Sequence, residues 1–177
     1  DPVNLDALHN DQYIKMIKEL AENYPGTSIV TGLVSYRQYT STNGQPTRSA
    51  IKRDDSDFYS DQFNSAFRID TSDLFEVYHK SKLVPGIEMQ FLKGPGILIS
   101  RILPYLGGTK WGYGAQDERV SFTHPHLRHK AAPIICYESV FGSFVTDYVK
   151  KGANALFIIT NDGWWKNSDG YRQHLTY

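Results

Sequence analysis

Two hydrophobic periodicities alternate along this chain. From Asn4 to Asn23, Leu5, Leu8, Tyr13, Ile14, Ile17 and Leu20 recur on or near one face, with Lys15, Lys18 and Glu19 outside it. That spacing predicts an amphipathic helix, which Tyr24-Pro25-Gly26 ends. Thr27 to Tyr36 is mostly apolar and β-branched and predicts a strand, with Gly32 inside it. Tyr39 to Asp61 is polar and predicts a long hairpin loop. Two further strands are expected at Phe63–Ile69 and Leu74–His79, joined by the turn-like Asp70-Thr71-Ser72-Asp73.

Beyond residue 80 the pattern loosens, then sharpens again. Ile97 to Leu106 predicts a short helix, and the Gly-rich, aromatic Gly107–Gly114 stretch predicts a flap. A strand is expected near Arg119–Phe122. The stretch on which the rest depends is Ala131–Lys151. Its first half is a short apolar run that predicts a buried strand. Its second half places Val140, Phe144, Val145, Tyr148 and Val149 at helical spacing. Gly152-Ala153-Asn154 closes that helix, and Ala155–Thr160 is another fully apolar strand, followed by the loop Asn161-Asp162-Gly163-Trp164-Trp165. Strands outnumber helices, which predicts an α/β layered architecture with a mixed sheet. Lys80, Cys136 and Asn161 fall at strand carboxyl ends, so they are expected to converge at one sheet edge.

Composition narrows the picture without changing it. A chain of 177 residues buries one sizeable core, and two full domains are not expected. With 19 basic and 19 acidic residues there is no basic field to attract nucleic acid. No apolar run reaches the roughly 18–20 residues of a membrane span, and no signal peptide is evident. Cys136 is the single cysteine, so it has no intrachain disulfide partner. It sits where strand becomes helix, facing amide N–H groups that favour a thiolate over a thiol. The plainer reading is a small buried hydrophobe.

Other candidates carry their own plain readings. His124-Pro125-His126 has His-x-His spacing with no cysteine or carboxylate beside it, so a polar turn is expected rather than a metal centre. Gly107-Gly108-Thr109 lacks the spacing of a phosphate loop. Neither a metal nor another cofactor is expected.

Three motifs in order carry a resemblance. They are Tyr78-His79-Lys80 with Leu83-Val84-Pro85 and Glu88, then Ile135-Cys136-Tyr137-Glu138, then Thr160-Asn161-Asp162-Gly163-Trp164-Trp165. Together, with Asn64-Ser65-Ala66 upstream, they resemble the carbon–nitrogen hydrolase (nitrilase) superfamily, and more closely its apolipoprotein N-acyltransferase branch. The likeness covers most of the chain and is weakest in the Tyr39–Asp61 loop.

The resemblance implies an α-β-β-α sandwich and a Glu-Lys-Cys triad. Its lysine would be Lys80, holding an ammonium near the developing oxyanion, and its nucleophile Cys136. Glu88, Glu138 and Tyr137 match supporting residues of the acyltransferase branch. For Lys80 the plain alternative is a surface lysine, for Glu88 a solvated loop acid, and for Glu138 a carboxylate serving a helix start. Trp164 and Trp165 are expected at a substrate entrance, or else buried or covering apolar surface.

The family's glutamate lies in a Pro-Glu-x-Ala-like segment with no match here. Residues 1–177 are therefore expected to be a partial nitrilase-like catalytic domain, lacking its first and last parts and little active alone. The implied reaction moves an acyl chain from a phospholipid, through a cysteine thioester, to the N-terminal diacylglyceryl-cysteine amine of a lipoprotein. The implied location is the bacterial inner membrane, attached through parts outside this chain, with the catalytic domain on the periplasmic side. Two alternatives stand beside it: a soluble amidase or nitrilase with the same nucleophile, and a non-catalytic nitrilase-like domain.

Overall fold

A computed structural model describes residues 1–52, 57–85, 88–89, 112–161 and 169–176. The expected first helix is divided. Val3–Asn4 form a short strand, β1, and Leu5–Asn10 a 3₁₀ segment with non-helical backbone at Ala7. Helix α1 runs only from Gln12 to Glu22. Asp11 makes the division, because its carboxylate accepts from the Tyr13 and Ile14 amides at 2.8 and 3.2 Å. An aspartate that satisfies two first-turn donors starts a helix. The buried stripe is correspondingly narrower than the sequence suggests. Ile14 and Ala21 are fully buried, while Tyr13 and Leu20 are exposed.

The first sheet is built on one long hairpin. β2 (Ile29–Tyr39) and β4 (Tyr59–Ile69) pair antiparallel throughout, from Ile29 opposite Ile69 to Tyr39 opposite Tyr59. The polar loop is therefore shorter than expected, and it contains the two-residue strand β3 (Ile51–Lys52) paired to β4. Both hairpin arms extend into polar sequence because ladder hydrogen bonds need no apolar side chain. β1 lies parallel to β2, and β5 (Glu76–His79) pairs with the far end of β4.

The second sheet holds three described strands: β6 (Phe122–Thr123), β7 (Lys130–Ile135) and β8 (Ala155–Ile159). β7 and β8 run parallel, in register from Ala131–Ala155 to Ile135–Ile159. Their crossover carries a 3₁₀ turn, Cys136–Val140, and helix α2, Gly142–Lys150. A final short helix, α3, spans Gly170–Thr176.

Alternation along β4 decides the layering. Phe67 and Ile69 face outward with Ile14 of α1 and Val3. Ala66 and Tyr78 face inward, in one buried cluster with Ile134 and Ile135 of β7 and with Phe144 and Tyr148 of α2. The order is α1, first sheet, second sheet, α2: the expected α-β-β-α sandwich. Gly32 lets the two sheets meet, since a Cβ there would lie 2.5 Å from Cγ2 of Ile159.

The expected helix at 97–106, most of the 107–114 flap, and Trp164 and Trp165 lie outside the described residues. His124 has a structural task. Its Nδ1 accepts from the His126 and Leu127 amides, and its Nε2 lies 3.0 Å from the Gly26 carbonyl. That is the polar turn expected of this segment, and no cluster of metal-ligating side chains occurs among the described residues.

Candidate active site

One cavity of about 410 Å³ opens between the two sheets, lined in part by Asn64, Lys80, Glu88, Tyr113, Cys136 and Asn161. The three strand ends named above therefore meet in one place. β5 hands the chain to Lys80, β7 to Cys136, and β8 to Thr160 and Asn161. Lys80 points inward because it continues the β5 alternation that turns Tyr78 inward and His79 outward. Gly32, Val34, Ile135 and Ile159 supply an apolar wall.

Lys80 is 1% exposed and no surface lysine. Its Nζ donates to both carboxylate oxygens of Glu88, at 2.9 and 2.7 Å. Glu88 is likewise buried rather than solvated, and accepts from the Val84 amide at 2.7 Å and the Asn64 side-chain amide at 3.2 Å. A buried ion pair needs such extra donors to offset the desolvation of both charges. Tyr113 closes the same corner, with its amide on the Glu88 carbonyl at 2.9 Å. Burial, and then the Glu88 charge, push its phenol above the ordinary tyrosine range.

Cys136 is partly exposed and adopts φ 50°, the only positive φ at a described residue other than glycine. Left-handed backbone is unfavourable for an L-residue and must be enforced by its surroundings. The turn it opens presents first-turn amides without intrahelical acceptors.

Glu138 enforces part of this geometry from behind. It is fully buried. One oxygen accepts from the Tyr78 hydroxyl at 2.7 Å and from the Ser81 and Lys82 amides at 2.6 and 3.1 Å. The other accepts from the Ile135 amide at 2.8 Å. One carboxylate thus ties the backbone after Lys80 to the backbone before Cys136. Burial raises its pKa above the ordinary glutamate value, against the pull of its four donors. Tyr78 is pushed up in turn, first by burial and then by Glu138.

Tyr137 packs edge-to-face on Phe141, with ring centroids 5.0 Å apart, and is not among the residues that line the cavity. On the outer face, Ser35, Ser65 and His79 form a chain of contacts at 2.6 and 2.7 Å, and the His79 ring stacks on Phe63. Burial lowers the His79 pKa to about 4. Asn64, Tyr78 and Tyr113 have no role expected from the sequence. Tyr78 was legible as an inward position on a strand, but its partner lies 60 residues away.

An α-β-β-α layering with a buried lysine–glutamate pair and a cysteine on a left-handed turn is a nitrilase-like arrangement. No family model matches the chain. The sequence is, however, related to curated apolipoprotein N-acyltransferases. It is 33% identical over 108 residues to the one from Chlorobaculum tepidum, covering 56% of this chain and 19% of that protein. It is 28% identical over 159 residues to the one from Shewanella oneidensis, covering 86% and 27%. With the Thermotoga maritima protein it shares 30% identity over 118 residues, covering 67% and 22%. The chain thus spans roughly a fifth to a quarter of the length of these relatives. Among solved structures, a glutamine-dependent NAD+ synthetase from Acinetobacter baumannii overlays 73% of this chain and 18% of its own, with TM-score 0.38 and 12% identity.

Proposed function

We propose that this chain supplies the nucleophile and lysine of an apolipoprotein N-acyltransferase site, with Cys136 as nucleophile and Lys80 as oxyanion partner. The Cys136 thiolate attacks the ester carbonyl of a phospholipid, and the tetrahedral oxyanion forms beside the Lys80 ammonium. The carbon–oxygen bond breaks, the lysophospholipid leaves as its alcohol with the proton that the family's glutamate, which matches no residue here, would have taken from the Cys136 thiol, and a thioester remains on Cys136. The α-amine of a lipoprotein's diacylglyceryl-cysteine then attacks that thioester. The new amide carries the acyl chain, the amine's proton passes to that same glutamate as general base, and the thiolate is released.

Glu88 fixes the Lys80 amine through two hydrogen bonds. Glu138 fixes the spacing between the Lys80 and Cys136 backbones. Tyr137 supports the turn through Phe141, and Trp164 and Trp165 are assigned to the substrate entrance. The acyl chain would lie along the apolar wall of Val34, Ile135 and Ile159. The site would work at a bacterial inner membrane, on its periplasmic side. No helix among the described residues is long and apolar enough to cross a membrane.

The observation that carries the reading is that Cys136 and the Glu88-paired Lys80 line one cavity. The triad's glutamate matches no residue here, so the 177-residue chain should show little or no phospholipid turnover while Cys136 still alkylates. Iodoacetamide alkylation of the folded chain, with Cys136→Ser as blank, should run faster than in urea and slow in Lys80→Met. Alkylation no faster in the folded chain than in urea would refute the nucleophile assignment. Phospholipid turnover by the isolated chain would refute the role of the absent glutamate.

A further inference from the structure

The left-handed turn at Cys136 is held by more than Glu138. The Cys136 carbonyl accepts the Ser139 hydroxyl at 2.9 Å, and His174 Nε2 lies 3.1 Å from the same oxygen. Ser139 Oγ and His174 Nε2 are themselves 3.2 Å apart. A carbonyl oxygen only accepts, so Nε2 carries the proton and shares it between the carbonyl and the Ser139 oxygen. Ser139 belongs to the same turn, whereas His174 stands on α3, 38 residues away. A local donor and a distant one therefore meet on the oxygen whose direction the φ of Cys136 sets.

We propose that His174 is a positioning residue for Cys136, clamping its carbonyl so that the residue stays left-handed and Sγ stays turned into the cavity. This rests on the reading of Cys136 as nucleophile. The reason is geometric. A right-handed conformation at Cys136 would redirect carbonyl and side chain together and break both hydrogen bonds at once. A nucleophile displaced by about 1 Å loses on the order of a hundredfold in rate. Ser139 alone cannot fix the carbonyl against α3, because it moves with the turn.

The chain has a single cysteine, so selective ¹³C,¹⁵N-cysteine labelling yields one backbone resonance that reports the torsion angles of Cys136. The full chain would be compared with His174→Gln, which keeps a donor at similar reach, and with His174→Leu, which fills the space without one. His174→Gln should retain the left-handed signature and alkylate with iodoacetamide near the wild-type rate. His174→Leu should lose that signature and alkylate about tenfold more slowly, its melting temperature matching that of His174→Gln. The proposal is overturned if His174→Leu keeps the wild-type resonance and rate, or if both variants fall equally. Failure of the nucleophile reading is separate: wild type would alkylate no faster folded than in urea, while the resonance still decides the role of His174.

Discussion

Replacing Glu138 by Gln tests whether one buried carboxylate couples the two halves of the site. The wild-type side chain accepts three hydrogen bonds at one oxygen and one, from the Ile135 amide, at the other. A glutamine carbonyl can keep the three donors, but its NH₂ then confronts the Ile135 N–H. Leaving that buried donor unsatisfied costs about 1–3 kcal/mol, and the three retained bonds each weaken by roughly 1 kcal/mol when the charge is lost. Against this, the variant no longer desolvates a carboxylate, which returns several kcal/mol. The expected net loss is about 1–3 kcal/mol. That corresponds to a fall in Tm of about 2–12 °C for a chain of this size. Urea unfolding with a conserved m-value measures the loss, and alkylation of Cys136 reads the site. Cys136 alkylation should also slow at temperatures where the variant is still folded. A loss below about 0.5 kcal/mol with unchanged alkylation would refute the coupling.

Lys80→Met should destabilise the chain by about 3 kcal/mol, because Glu88 is left charged and buried, and Lys80→Met with Glu88→Gln should recover part of it. Strictly additive losses in urea titrations would count against the pair. His79 is held neutral, with a folded pKa of about 4 against an ordinary 6.5. Its contribution is therefore fully present above pH 6.5 and is lost as pH falls toward 4, by at most about 3 kcal/mol. Wild type should lose more stability than His79→Gln across that window, and parallel pH curves would contradict the assignment.

Much of the layering was legible in the sequence because burial imposes a period. Phe63–Ile69, Ala131–Ile135 and Ala155–Ile159 each announce a strand by β-branched or aromatic density, and the carboxyl ends of the strands closing at His79, Ile135 and Ile159 place Lys80, Cys136 and Asn161. Where polarity masked regularity the sequence was less informative. Tyr39 and Tyr59 close a ladder whose hydrogen bonds are all backbone, and Asp11 splits a helix by capping it.

What the sequence by itself determined was an α/β layering, a strand-end cysteine and the motif order behind the family likeness. Local composition dictates those through side-chain period and turn chemistry. Only the tertiary structure decided that Lys80 and Glu88 are a buried pair, that Glu138 serves two strand ends at once, and that His174 reaches the Cys136 carbonyl. Each depends on hydrogen bonds between residues far apart in the chain, or on how completely packing excludes water. Neither property has a local signature.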